Sequence, residues 1–365
     1  MALQLIKEQS RYAAFFDESE RRNEHPDFAR RRREAFAQFE ELGFPTIDLE
    51  DWKYTNISAL SKTDFAPAEK LDLPSAVDRE TVARFADAET TRLIFVNGFY
   101  RPELSDLSAL PTGVIVDDLL TALSGENGQF VREKCGRLSD GGDDALAAFN
   151  TAFSEGGAYV FVPRGVTIER PISVLFLSEA ANSAPMFSNP RVLVVAERES
   201  SVTVIENYRG GEGPGVYWTN AVVELFVEEA ARVTYYKVQR ESEDAYHTAA
   251  TRAHLTRSAA LDMTTITLGA KISRHDIVVR MDHEGAECWV DGLYLVGDGQ
   301  HADTHSLIDH VSPHCTSHQL YKGILDGKSR AVFNGKVFVH RNARGSDAQQ
   351  TNKNLLLSRE ARVDT

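Results

Sequence analysis

The chain has 365 residues, 42% of them hydrophobic, with 40 Lys+Arg against 54 Asp+Glu and a formal net charge of −14. That apolar content excludes disorder, and the acidic balance argues against a general nucleic-acid or anionic-membrane binder, which needs a basic face. The longest apolar runs, such as Ile172 to Leu177, fall short of the roughly 18 residues a membrane-spanning helix needs. The start, MALQLIKEQSRY, has neither a basic stretch nor an apolar one, and three scattered cysteines make no disulfide framework, so a cytosolic protein is expected.

In chain order, His25-Pro26-Asp27 opens a helix that Gly43 stops, with Phe28, Phe36, Phe39 and Leu42 as its apolar stripe. The run Arg30 to Arg33 points all round that helix and is surrounded by Glu18, Glu20, Glu24, Asp27 and Glu34, so a solvated, salt-bridged surface is expected. Trp52 and Tyr54 are expected to anchor a connection against a helix, and residues 61–90, with Pro67 and Pro74, to form a linker. Arg92 to Val96 before Asn97-Gly98 reads as a strand and turn, and Val114 to Val116 as a second strand. Asp143 to Phe153 reads as a helix with Leu146, Phe149 and Phe153 on one face.

From Ala158 onward short runs rich in Val, Ile, Thr, Tyr and Phe follow one another, and no helix-period segment interrupts them before about residue 340. The reading is therefore a mostly helical N-terminal domain, residues 1–155, and an all-β core, residues 156–365. A small residue before a strand recurs at Ser200, Ala230-Ala231, Ala259, Ala286, Ala331 and Ala361, with several steps at a spacing typical of stacked units. The step from Ala286 to Ala331 is longer and implies an unrecognised turn or an insertion. Of the sandwich-type turn candidates, Asp291-Gly292, Asp298-Gly299, Asp326-Gly327 and Asn334-Gly335 all lie in the last third. Runs such as Val222 to Gln239 carry apolar residues on both parities, which favours a parallel β-helix over a β-sandwich.

His301, His305, His310, His314 and His318 lie close together with Asp303, Asp309 and Cys315. Imidazole, thiolate and carboxylate are ordinary ligands of zinc and iron-group metals, so His314, Cys315 and His318 are candidate metal residues. No standard zinc spacing is met, and the competing reading is a turn region whose histidines hydrogen-bond between coils. Gly210-Gly-Glu-Gly-Pro-Gly215 lacks the Lys-Ser/Thr of a phosphate-binding loop, and no nucleophile elbow is present. Cys135 reads as a plain loop cysteine and Cys288 as a small core residue. No catalytic set emerges, which suits a scaffold better than an enzyme. A cupin-like, histidine-rich metalloenzyme is the alternative, although HADTH lacks that motif's spacing. A secreted carbohydrate-active β-helix enzyme would need an export signal.

The run GDGQHADTHSLIDHVSPHCTSHQLYKGILDGKSRAVFNGKVFV (Gly297 to Val339), followed by QQTNKNLLLSREARVDT (Gln349 to Thr365), resembles the core of the SufB/SufD family, scaffold subunits of the SUF iron–sulfur cluster assembly machinery. Within that family GFPTIDLEDWKYTN (Gly43 to Asn56) resembles the SufD branch. The resemblance implies a helical N-terminal domain, a right-handed parallel β-helix core and a C-terminal helical domain. It implies pairing with a SufB-like paralogue and a SufC-like ATPase, no hydrolysis by this subunit and no firmly bound cofactor. Iron or a cluster would be held only transiently, at the level of the complex. Family members continue past Val363-Asp364-Thr365 into a further strand, a Cys-x-His-Gly motif bearing the histidine implicated at the SufB interface, and ATPase-docking helices. The resemblance thus implies that these 365 residues are a fragment.

Overall fold

The computed structural model describes residues 12–20, 26–68, 77–85, 90–108, 110–139, 142–154, 156–180, 184–211 and 215–365. Glu24, His25, Pro74 and the middle of the Gly210–Gly215 run lie outside the described residues. The helix Pro26–Leu42 begins at the proline, where a missing N–H costs nothing, and ends at Gly43 (φ 66°), whose N–H returns to the Phe39 carbonyl at 2.8 Å. Phe28, Phe36 and Phe39 are buried as expected, but Leu42 in the last turn faces solvent. The arginine run divides by helix face. Arg33 pairs with Glu20 in solvent, as expected, whereas Arg32 is buried and donates to the Ala152 carbonyl at 2.8 Å and to Ser19.

The helix Ala145–Phe153 is capped by the Asp144 carboxylate, which accepts from the Ala147 N–H at 2.9 Å, and all nine of its residues are buried. It lies between the first helix and the β core. There Phe149 meets Tyr12, Phe39 and Trp218 at ring separations of 4.9 to 5.1 Å. The expected strand and turn at residues 92–98 form as Thr91–Val96 pairing antiparallel with Phe99–Tyr100. Positive φ at both Asn97 and Gly98 is the turn geometry that matches strand twist. Ile115–Asp118 is the second strand, antiparallel to Gly157–Val162. In the expected linker, helices Ser58–Lys62 and Arg79–Ala83 and a two-residue strand, Ala66–Pro67, are found.

Beyond residue 172 the molecule is a parallel β-solenoid of about six turns reaching residue 364. Successive strands alternate between two sheets. Sheet I runs through Arg191–Ala196, Tyr217–Val227, Tyr246–Leu255, Ile272–Met281, His301–His310, Arg330–Val339 and Arg362–Asp364. Sheet II runs through Ile172–Ser178, Ser201–Gly210, Arg232–Arg240, Ala260–Thr267, Glu287–Val296, Thr316–Leu325 and Asp347–Leu356. Every strand pair within the solenoid is parallel, which decides against a sandwich and against the antiparallel jelly roll of a cupin. Asp291-Gly292 and Asn334-Gly335 lie within strands rather than at hairpin turns.

The repeat has a backbone cause. Two residues before each strand of sheet II after Ile172–Ser178 stands a residue with positive φ: Glu199, Ala230, Ser258, Gly285, His314 and Gly345. Each of the first five donates its N–H to a carbonyl of the following turn, at 2.9 to 3.2 Å, so the corners stack as tightly as the strands. The next residue points inward and is small and buried: Ser200, Ala231, Ala259, Ala286 and Cys315. The long step from Ala286 to Ala331 therefore hides one turn, marked by Cys315 where the earlier corners have Ala. Ala331 and Ala361 belong to the other sheet, so the echo read from sequence mixes two parallel series.

Candidate functional site

The histidine-rich segment is built on one strand and one corner. Side chains alternate along His301–His310, so His301, Asp303, His305, Leu307 and Asp309 face out from sheet I while Ala302, Thr304, Ser306, Ile308 and His310 face the interior. His310 is buried and its Nε2 lies 2.8 Å from the Ser317 hydroxyl. His314 is the positive-φ corner residue, its ring packed beside Gly345. Cys315 points inward with its thiol toward the carbonyls of His283 and Pro313, and burial pushes its pKa up. His318 lies on the outer face of sheet II, 3.9 Å from Asp291. Cys315, just before the strand Thr316–Leu325, and His318 within it are three positions apart, so they point to opposite faces. His314, Cys315 and His318 are not brought together. Among the described residues no three His, Cys, Asp or Glu side chains gather as a metal site.

What the outer-facing histidines do meet is the connection after the first helix. The turn Glu50–Trp52 and the residues up to Thr55 lie across sheet I. Arg274, 2% exposed, is the anchor. Its guanidinium binds Asp276 through two nitrogens at 2.9 and 2.8 Å, Asp303 at 2.5 Å and the Asp51 carbonyl at 2.8 Å, and lies 4.3 Å from the Trp52 ring. Thr55 donates its hydroxyl proton to Asp303, so His301, 2.8 Å away through Nε2, must donate to the threonine oxygen. His305 adds a contact to the other Asp303 oxygen at 3.2 Å, and Lys336 binds Asp51 at 2.9 Å. Burial alone would raise Asp303, but Arg274 and His305 hold it below the usual carboxylate range. Burial lowers His301. Trp52 and Tyr54 thus anchor on the β core rather than on a helix: Trp52 on Arg274, Tyr54 near Arg330. Beside this clasp an open cavity of about 190 Å³ is lined by Asp51, Arg252, Asp276, His305, Asn334 and Lys336 among others.

A second cluster, missed from sequence, lies inside the first turns of the solenoid. Glu206, Lys237, Glu241, His247 and His275 are all buried there. The available signal was parity. Lys237 alternates with Val233, Tyr235 and Gln239, and Glu206 with Val202, Val204 and Tyr208, all on the inward face. A charge at an inward position of an apolar strand is costly unless paired, and so marks a built network.

Comparison with known proteins agrees with the architecture. Residues 6–174 match the SufBD protein N-terminal region and residues 176–365 the SUF system FeS cluster assembly, SufBD core domain. An iron–sulfur cluster assembly SufBD family protein of Synechocystis is 34% identical over 87% of this chain and 70% of its own length. The iron–sulfur cluster assembly protein SufD of Escherichia coli is 26% identical over 88% of this chain and 72% of its own, and the SufB of Bacillus subtilis 28% identical over 76% and 60%. Matched on both of its parts, the chain belongs to the SufB/SufD family of iron–sulfur cluster assembly proteins.

Proposed function

We propose that this chain is a non-catalytic scaffold subunit of the SUF machinery, of the SufD branch, working in the cytoplasm with a SufB-like paralogue and a SufC-like ATPase. The observation that carries the reading is the family match over both parts of the chain. SufB and SufD relatives stand at comparable identity, so the branch rests on the Gly43–Asn56 segment, the same segment that forms the clasp on sheet I. Iron and the cluster are cargo of the assembly in this reading, not resident groups of the subunit. His314, Cys315 and His318 then serve the corner and the two faces of a strand rather than a metal.

In this chain no described helix is long and apolar enough to cross a membrane.

Native mass spectrometry of the tagged protein from its own cells tests the proposal. Co-purification with a β-helix paralogue and an ATPase supports it. A folded chain recovered alone, under conditions in which the two partners are expressed and paired with each other, overturns it.

A further inference from the structure

Glu206 and Lys237 are neighbours in the register of sheet II, and Thr219 and His247 are neighbours in sheet I, so the two sheets present these four side chains to one another across the interior. Lys237 Nζ lies 2.6 Å from His247 Nε2, and His247 Nδ1 lies 2.7 Å from Glu241 Oε2. Glu241 also accepts from Thr219 at 2.6 Å and from Gln239 at 3.0 Å. Lys237 is 5.1 Å from the Tyr208 ring, whose edge contacts His247 and whose hydroxyl donates to Glu206.

These contacts fix where the protons sit. An ammonium only donates, so the Lys237 contact makes His247 Nε2 the bare lone pair and puts the proton of the neutral imidazole on Nδ1. Nδ1 stands 2.7 Å from Glu241 Oε2 without the alignment of a hydrogen bond, so Glu241 is an ion-pair neighbour and Lys237 alone donates to the ring. That donation requires a neutral imidazole. A second proton on His247 destroys it, because Nε2–H would face the ammonium with no lone pair between them and two positive charges in contact.

We propose that His247, held between Lys237 and Glu241, is an acid-triggered latch whose protonation opens the front turns of the solenoid ahead of the rest. The charged and titratable groups around it come from neighbouring elements: Glu206 and Tyr208 from one strand, Tyr235 and Lys237 from the next, Glu241 after it, Tyr217 from sheet I and His275 from the following turn. Burial lowers His247 most, Lys237 lowers it further, and Glu241 opposes both. His275, bound to the Thr251 hydroxyl at 2.8 Å, is lowered by burial in the same way. Burial lowers Lys237 to about 8, with Glu206 and Glu241 opposing.

The sign follows from proton counts. An opened turn lets His247 titrate near its ordinary value of about 6.5, while the closed turn holds it neutral to lower pH, so between those values the open state binds more protons. Through His247, closed-state stability therefore falls as pH drops below about 6.5, while Glu206, raised by burial, works the other way as it takes up its proton. Lys237 cannot reverse this in acid: its own shift costs stability throughout the range below about 8 and is relieved only above it. The later turns carry neutral groups at the positions in register with Lys237, namely Thr265, Gly292, Tyr321 and Asn352, so His310, which burial also lowers, has Ser317 beside its Nε2 rather than an ammonium.

Hydrogen exchange of the 365-residue chain, followed by mass spectrometry from about pH 7.5 to about pH 5 and corrected for intrinsic rates, is the test. Protection of peptides covering residues 232–255 is expected to fall about tenfold or more, the effect of one pH unit per coupled proton, while residues 316–325, which have only His310 beside them, lose less. His247→Gln offers a neutral donor and acceptor in the same place and is expected to reduce the pH dependence to the part that His275 carries. Front turns that stay protected in acid, or a folded His247→Gln protein that opens as the parent does, overturn the latch. Should that variant not fold, ¹⁵N-histidine spectra of the parent decide: His247 remaining neutral at the pH where the front turns open overturns it, and titration coincident with opening supports it.

Discussion

Sheets I and II share a register, a strand length and a corner geometry, and differ in what lies over their outer faces. Sheet I is covered by the helix Ala145–Phe153 and by the Asp51–Thr55 clasp, so outward residues such as Trp218, Arg274 and Asp303 are at most 2% exposed. Among the described residues, sheet II is capped at its front, where Val82 packs on Ile94, Val96, Leu175 and Leu177. Further along, outward Tyr236, Leu295 and Leu355 are 37%, 46% and 56% exposed. The same alternating strand thus places a charge in two different media. On sheet I a charge must be paired and hydrogen-bonded; on sheet II water serves it.

The largest effect that sharpens this contrast is expected at Arg274. Arg274→Met leaves Asp303 buried with only Thr55 and His305, and removes the ligand of the Asp51 carbonyl. Breaking a buried pair by removing one partner costs about 3–5 kcal/mol, and the thermal midpoint should fall accordingly. The loss should shrink once pH drops below about 4. Asp303 is held below its ordinary value, so the stability it contributes is present above about pH 4 and is lost as pH falls through its folded value. A variant as stable as the parent at neutral pH would show that the clasp is ornamental and that the two faces do not differ as described.

The next test moves inside, where the two sheets share one environment and the contrast should vanish. Gly292 faces Tyr321 in register, and a Cβ there would stand 2.1 Å from the Tyr321 ring. That ring cannot withdraw easily, because it stacks on Phe333 at 4.5 Å. Gly292→Ala should therefore cost about 1–3 kcal/mol, an overpacking effect, and Tyr321→Leu in the same chain should recover part of it. Calorimetry of the single and double variants checks this. Additive losses would mean that the ring and the glycine do not compete for space.

Smaller again is Thr55→Val, which removes the hydroxyl between His301 and Asp303 without changing side-chain volume much. A loss of about 1–2 kcal/mol in urea unfolding is expected, the cost of a buried partner left unsatisfied. Thr55 helps hold Asp303 below its ordinary carboxylate value, so the loss should shrink as pH falls below about 4. A loss that grows in that range would contradict the donor assignment at Thr55.

These tests turn on residues that were unevenly legible in the sequence. The strands, the helix from Pro26 to the Gly43 stop and the Asp144 cap were legible because each is written in a local pattern: alternation, a glycine stop, an acidic cap. The repeat was half legible. Corners with Ala stood out, and the corner with Cys315 did not, because the requirement there is for a positive φ and a small inward residue rather than for alanine. The fates of Arg32, Leu42 and Trp52 were not legible, since they depend on which element covers which face, and that is set by packing among distant segments. Glu206, Lys237, Glu241 and His247 were legible one by one as inward-parity charges but not as a network, because their contacts cross between sheets whose register no local pattern specifies.

The smallest effect is the one that closes the contrast. Arg257 and Glu284 form an ion pair at 3.3 Å on the corners that lead into sheet II, with side chains 55% and 52% exposed. At that exposure Coulomb attraction is offset by side-chain entropy and screened by salt, so such pairs contribute about 0–1 kcal/mol. Arg257→Ala should change the unfolding midpoint by less than about 0.5 kcal/mol equivalent, and the difference should disappear in about 1 M salt. It is the same kind of arginine–carboxylate contact as Arg274–Asp303, at 3.3 Å against 2.5 Å. If Arg257→Ala cost as much as Arg274→Met, the covering of sheet I would not be what gives its charges their weight. The strain of the corner itself, where Ser258 already holds a positive φ, would then have to be the cause.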